Sequence, residues 1–62
     1  MFVEINEKYF NKLYIQSVET EDIVEDNEYY YNINYRLQNG EVLVESFDNS
    51  SARDSKFDEV IG

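Results

Sequence analysis

The stretch Tyr29–Phe47 reads YYYNINYRLQNGEVLVESF, and the rest of the fold is organised around it. Two runs rich in aromatic and β-branched residues flank Asn39 and Gly40, and such runs are typical of strands. Asn-Gly is the strongest short-range hairpin signal because both residues tolerate a positive φ angle. The pattern predicts antiparallel pairing between residues 30–38 and 41–47.

The register of this hairpin has two alternatives that differ by one residue. A two-residue I′ turn places Val42 on the face that carries the alternating tyrosines. A three-residue loop, with Gly40 in the left-handed conformation as a bulge, turns Leu43 and Phe47 onto that face instead. We prefer the bulged form because it brings the two larger apolar side chains inward. It also turns Glu45 inward, which counts against it.

The length of 62 residues predicts one domain, residues 1–62. A chain of this size buries only about 60% of its unfolded surface, so its stability is marginal. It has no Cys for a disulfide and no His or Cys for a zinc site. Six Tyr and four Phe supply a large apolar area per residue, which allows a small core to suffice.

The composition also excludes most catalytic chemistry. No His is present to act as a general base or a metal ligand, and no Cys is present for thiolate catalysis. With only two glycines, the chain has no glycine-rich phosphate loop. We therefore expect a protein that is not an enzyme, holds no metal and uses no cofactor.

A net charge of −9, from 14 acidic and 5 basic residues, bounds the choice of partners. It argues against direct binding to nucleic acid or to an anionic membrane, since both require basic patches. It favours a basic protein partner. The start of the chain lacks a signal-peptide pattern and no apolar run approaches membrane-spanning length, so we expect a cytoplasmic protein.

The first twenty residues contain one clear strand and one ambiguous segment. Residues 2–5 alternate between apolar and polar, which predicts a strand followed by a turn. Residues 13–18 favour a second strand because they include β-branched residues and an aromatic. Apolar spacing also permits a helix over residues 7–16, which we keep as the alternative.

Glu19–Glu28 is an acidic segment, and no basic residue occurs from Leu13 through Tyr35. We predict that this segment is an exposed connection and a partner-binding surface. Tyr30 joins it because it faces away from its two neighbouring tyrosines and Tyr is enriched at interface hot spots. The predicted partner-binding residues are Glu19, Glu21, Asp22, Glu25, Asp26, Glu28 and Tyr30.

A C-terminal helix is predicted after the hairpin. Residues 48–51 offer several N-cap candidates, among them Ser51 with Asp54 three residues later. Gly62 stands where a C-terminal glycine cap belongs. The residues that share one helical face are Arg53, Phe57, Val60 and Ile61. The predicted fold class is α+β, a small antiparallel sheet of four to five strands with one C-terminal helix.

The chain resembles short uncharacterised proteins of phages and prophages of low-GC Gram-positive bacteria. The resemblance is carried by KYFNKLYIQSVE (Lys8–Glu19), YNINYRLQNGE (Tyr31–Glu41) and the Ser, Phe and Asp of residues 46–48. It is similar in size and charge to small acidic phage inhibitors of the anti-CRISPR and antirestriction type. It departs from the strongest nucleic-acid mimics because its acids are concentrated in one segment.

Two functions are consistent with these observations. The first is an acidic, phage-derived protein-binding module that engages a basic surface of a host or defence nucleic-acid-handling protein as an inhibitor. The second is a structural or assembly protein that acts through homo-oligomerisation of its sheet, with a homodimer as the simplest form.

Overall fold

A computed structural model describes residues 1–62. Its elements in chain order are β1 (Phe2–Ile5), β2 (Lys8–Asn11), a short 3₁₀ helix (Lys12–Tyr14), β3 (Ile15–Glu25), β4 (Glu28–Leu37), β5 (Val42–Phe47) and α1 (Ser50–Ile61). The strands form two antiparallel sheets, β1–β2 and β3–β4–β5. The predicted α+β class, with five strands and one C-terminal helix, is confirmed.

The β4–β5 hairpin is confirmed in its bulged register. Tyr35 pairs with Leu43, and Gly40 has a φ of 93°. The Leu37 amide donates to the Glu41 carbonyl at 2.8 Å, which closes a three-residue loop. Glycine is required at this left-handed position because a side chain there would be strained.

Glu45 does turn inward, and the structure satisfies its carboxylate. The Tyr35 hydroxyl donates to Glu45 Oε1 at 2.7 Å, and Lys56 Nζ lies 3.7 Å from Oε2. Burial of the Tyr35 ring, followed by this hydrogen bond, raises the pKa of its hydroxyl above the usual value of 10.0. The inward acid is therefore held by one hydrogen bond from β4 and one ion pair with α1.

The ambiguous segment after β1 is a strand and a 3₁₀ turn, so the alternative of a helix over residues 7–16 is wrong. Asn6 and Glu7 both have positive φ, of 52° and 69°, and close the β1–β2 hairpin. The Asn11 carboxamide accepts a hydrogen bond from the Leu13 amide at 3.0 Å and starts the 3₁₀ turn that leads into β3.

The acidic segment 19–28 is exposed, but the prediction that it is a connection is wrong. It forms the second half of β3, a two-residue turn and the start of β4, with pairing unbroken to Glu25 opposite Glu28. Asp26 and Asn27 have φ of 50° and 66°, the left-handed pair of an I′ turn. Acidic residues are poor strand formers, which hid this hairpin in the sequence.

The core lies between the three-stranded sheet, the β1–β2 hairpin and α1, which packs on β4 and β5. Burying each large apolar side chain there contributes about 1.5–3 kcal/mol. The five buried core residues are Val3, Ile5, Ile33, Tyr35 and Val60. The single helix is neither long nor apolar enough to cross a membrane.

The helix begins after Asn49, whose side chain accepts a hydrogen bond from the Ala52 amide at 2.8 Å. Among the N-cap candidates the structure thus uses Asn49 rather than Ser51. The Gly62 amide donates to the Asp58 carbonyl at 2.8 Å and ends the helix as predicted. Of the predicted helical face, Arg53 and Val60 are buried and Phe57 is half-buried, whereas Ile61 remains exposed.

Candidate protein-interaction face

One face of the three-stranded sheet carries no covering element. Side chains alternate along each strand, and directly paired residues of antiparallel strands share a face. Since Ile33 and Tyr35 point into the core, the intervening residues of β4 point the other way. We call this side the outer face; its residues are Ser17, Glu19, Glu21, Ile23, Glu25, Glu28, Tyr30, Asn32, Asn34, Arg36, Val42, Val44 and Ser46.

The structure divides the predicted partner-binding residues between three places. Asp22 lies on the inner face, opposite Tyr31, and Asp26 lies in the turn that ends the hairpin. The other five share the outer face: Glu19, Glu21, Glu25, Glu28 and Tyr30. Strand alternation therefore collects four carboxylates that are separated in sequence into one exposed surface.

Asp22 has an intramolecular role. Its Oδ1 atom accepts a hydrogen bond from Arg53 Nη1 at 2.6 Å, and Arg53 Nε donates to Asp54 at 2.7 Å. The Arg53 side chain is 8% exposed, and its guanidinium lies 5.8 Å from the centroid of the Tyr31 ring. The hydrogen bonds to Asp22 and then Asp54 raise the pKa of Arg53. These contacts attach the helix to the middle of the β3–β4 ribbon.

The carboxylates of the outer face form a row rather than a cluster. Glu19 and Glu21 are two residues apart on β3, which spaces their Cα atoms by about 6.8 Å. Glu25 and Glu28 stand directly opposite each other across the hairpin end, where like charges repel. The one basic residue of the face, Arg36, lies at the other end of β4. No group of three or more His, Cys, Asp or Glu side chains has a metal-binding arrangement.

Two asparagines of the central strand lie beneath this row with buried Oδ1 atoms, and the sequence reasoning missed them. Asn32 is 5% exposed, and its Oδ1 atom has no hydrogen-bond partner. Asn34 donates from Nδ2 to Glu21 Oε1 at 3.0 Å, while its own Oδ1 is unpartnered. The signal was their alternation with Ile33 and Tyr35, which directs both amides to the face opposite the core.

Tyr30 gives the outer face an aromatic end. Its ring is 40% exposed and faces away from Tyr29 and Tyr31, whose rings stack with centroids 6.4 Å apart. Its hydroxyl donates to Glu28 Oε2 at 2.7 Å. That hydrogen bond, and next the charge of Glu28, raise the pKa of Tyr30.

The ribbon extends beyond the rest of the sheet, because β5 reaches only as far as the pair between Tyr31 and Phe47. We call the two-stranded part beyond it, residues 23–30, the distal arm. Its inner side carries Val24 and Tyr29, which pair with each other and are 61% and 62% exposed. The chain is correspondingly elongated, measuring 36 × 22 × 18 Å.

No protein-family model, curated protein sequence or solved structure matches the chain.

Proposed function

We propose that this chain is a non-enzymatic acidic binding module whose outer face engages a basic surface of a nucleic-acid-handling protein. The supporting observation is that four carboxylates occupy one uncovered face, those of Glu19, Glu21, Glu25 and Glu28. The charged groups of this face are these four carboxylates and the guanidinium of Arg36, so the complementary surface is rich in Lys and Arg donors.

The spacing of the row sets how well it can compete with nucleic acid. A DNA strand presents one negative charge per 3.4 Å of helix axis, roughly twice the linear density of Glu19 and Glu21, whose Cα atoms are about 6.8 Å apart, and Ile23 interrupts the row before Glu25. Charge alone therefore favours the nucleic acid. The half-buried side chain of Ile23 and the exposed ring of Tyr30, at the end of the same face, supply contact area that phosphates lack.

The proposed role is inhibition by occupation of a nucleic-acid groove, in the cytoplasm of a bacterial host. Opposite charges mainly accelerate association and make it sensitive to salt. The resemblance to short phage proteins supports a phage origin, and the size and charge support an inhibitor of a host or defence protein. The four acids then act as one surface, because strand alternation on β3 and β4 presents them on the same side of the sheet.

The test compares two variants with equal net charge. The first neutralises the outer row by Glu19→Gln, Glu21→Gln, Glu25→Gln and Glu28→Gln. The control neutralises four exposed acids elsewhere by Glu41→Gln, Asp48→Asn, Asp58→Asn and Glu59→Gln. Each protein is immobilised and used to capture proteins from bacterial lysate at low and at physiological salt. Captured proteins are then challenged with labelled duplex DNA.

We expect the wild type and the control variant to retain the same nucleic-acid-binding protein, and we expect labelled DNA to compete for it. The outer-row variant should lose this capture, because local charge pattern and not net charge recognises the partner. Equal capture by the two variants would contradict the assignment of the outer face. A captured protein that binds DNA and this chain simultaneously would contradict inhibition by occupation.

A second candidate function, a structural or assembly protein, is favoured by the apolar surface at the end opposite the distal arm. Phe2, Tyr9, Leu13 and Tyr14 are each at least 65% exposed on β1, β2 and the 3₁₀ turn. This end contains Lys8 and Lys12, so two copies meeting there avoid contact between their acidic rows.

For this candidate we expect a homodimer that dissociates at about tens of micromolar, by light scattering across a concentration series. Phe2→Ser with Tyr9→Ser should abolish it, while the outer-row variant should dimerise at least as well as the wild type. A monomer at about millimolar concentration would eliminate the simplest form of the assembly function.

A further inference from the structure

Strand β3 has a free backbone edge from Ser17 to Glu25. The order β3–β4–β5 leaves it paired on one side only, and the backbone hydrogen bonds outside the helices and the ladders involve none of residues 17–25. The other edge strand is partly blocked, because Asn6 Nδ2 donates to the Val44 carbonyl at 3.0 Å. An unpaired row of amides and carbonyls is a template for a further strand.

The turn at the hairpin end determines which backbone groups are free. A two-residue I′ turn makes the flanking pair, Glu25 and Glu28, a hydrogen-bonded pair. Hydrogen-bonded and non-hydrogen-bonded pairs alternate along an antiparallel ladder. Pairing is regular from Glu25 back to Ser17, where the register shifts. The residues that direct their amide and carbonyl away from β4 are therefore Val18, Thr20, Asp22 and Val24.

The charges along this edge decide what can pair with it. Glu19, Glu21 and Glu25 border the edge on the outer face, and no base accompanies them on β3. A second copy of β3 would bring acids close to acids across the new ladder, which is destabilising and is a common protection of edge strands. A strand with Lys or Arg at alternate positions instead places a base beside each of these acids.

We propose that the free edge of β3 binds an extended basic segment of a partner protein as an additional strand. Backbone pairing with Val18, Thr20, Asp22 and Val24 supplies affinity, and alternate Lys or Arg side chains over the outer carboxylates supply selectivity. This inference rests on the proposed function, since it specifies how the basic partner is held. Under this proposal, partner binding requires the free amides and carbonyls of β3 as well as the outer carboxylates.

The probe is a labelled peptide of about nine residues that alternates Lys and Thr, enough to span Ser17–Glu25. A matched peptide carries the same charges but is N-methylated at the Thr residues, which removes the amides on one edge. Binding is followed by fluorescence anisotropy at low salt. Hydrogen exchange of the backbone amides in β3 is measured by NMR with and without peptide.

We expect the unmodified peptide to bind in a salt-sensitive manner, and the N-methylated peptide to bind at least about tenfold more weakly. The amides of Val18, Thr20, Asp22 and Val24 should become slow to exchange on binding. The amides of Glu19 and Glu21 should not, because they already donate to β4. Equal binding of the two peptides, or protection that does not alternate, would overturn strand addition.

A variant of the chain tests the contribution of the edge backbone to peptide binding separately from that of the charges. Thr20→Pro removes one outward amide and retains every acid; proline is tolerated at such a position on an edge strand. We expect it to bind the peptide roughly five- to tenfold more weakly than Thr20→Val, which retains the amide. Equal binding by these variants, with both shown to be folded by thermal unfolding, would contradict the proposal.

If Thr20→Pro does not fold, the peptide pair and the alternating protection still decide between the outcomes. Absence of any binding of the unmodified peptide to the wild type overturns the edge proposal. It does not overturn the proposed function, which the outer-row variant tests through capture of a whole folded partner. If the peptide does not bind and the outer-row variant captures the same partner as the control variant, both the edge proposal and the proposed function are contradicted.

Discussion

The two ends of the β3–β4 ribbon are built alike and exposed differently. Ile33 and Tyr35, under the helix and the β1–β2 hairpin, are 0% exposed. Val24 and Tyr29, on the same inner side of the distal arm, are 61% and 62% exposed. Apolar and aromatic residues occupy both ends, so composition does not separate them. A second layer covers one end only, so the same kind of residue forms the core at that end and stays exposed at the other.

The distal arm keeps its strands without a second layer, although a two-stranded hairpin alone is marginally stable in water. Its turn is closed by Asp26 and Asn27, and the ion pair between Asp22 and Arg53 lies where the arm joins the covered part of the sheet. The following predictions test this contrast by changing each end separately.

The largest effect is expected at the covered end. Ile33→Ala should lower the free energy of unfolding by about 2–5 kcal/mol, because it leaves a cavity beneath a fully buried position. The matched change in the arm, Val24→Ala, should cost less than about 0.5 kcal/mol. Urea unfolding followed by circular dichroism measures both. Similar losses at the two positions would show that the arm is part of the cooperative core.

Tyr35→Phe should be the next most damaging change. It leaves the half-buried carboxylate of Glu45 without its hydroxyl donor, at a cost of about 1–3 kcal/mol near neutral pH. The comparison variant is Tyr29→Phe, whose exposed hydroxyl has no hydrogen-bond partner in the chain and whose loss should be nearly neutral.

The raised pKa of Tyr35 also predicts how the free energy of unfolding changes at alkaline pH. Its pKa is raised in the folded protein, so its contribution is fully present below the unfolded pKa of about 10. As the pH rises above that value, the unfolded chain releases the proton first and the free energy of unfolding falls. The fall should approach about 1.4 kcal/mol per pH unit from this residue. Unfolding curves of Tyr35→Phe should show a shallower fall, and equal slopes would exclude this cause.

Asp22→Asn should have a smaller effect that is concentrated in the arm. The carboxylate is 60% exposed, and Arg53 keeps Asp54, so we expect a loss of about 1 kcal/mol in unfolding free energy. Amide exchange in residues 23–30 should accelerate more than exchange in β5. Asp26→Asn, in the turn, is the control of equal charge. Identical exchange in the two variants would mean that the ion pair does not hold the arm.

The smallest effect on stability is expected from neutralising the outer row at Glu19, Glu21, Glu25 and Glu28. Each like-charge contact on a solvated surface costs only a few tenths of a kcal/mol. The melting temperature should therefore stay constant or rise slightly at low salt, and the difference should vanish at high salt. A clear fall in melting temperature would assign these acids to the fold rather than to binding.

Several parts of the structure could be predicted from the sequence because they depend on local chemistry. Asn39 and Gly40 indicate a turn with positive φ, and the larger side chains of Leu43 and Phe47 indicate which register fills the core. The β3–β4 turn was missed because acidic flanks outweighed Asp26 and Asn27 as a turn signal. Arg53 was placed on the helical face that carries Phe57 and Val60, but its ion pair with Asp22 was missed because the two residues are 31 positions apart in sequence.

Sequence alone determined the class of the fold, the β4–β5 hairpin and the acidic character of residues 19–28, because turn chemistry, residue volume and charge are local properties. Only the tertiary structure decided that four of the acids lie on one uncovered face while Asp22 is held by Arg53. That division depends on which side of β4 the helix covers, and strand alternation then sends neighbouring acids to opposite faces.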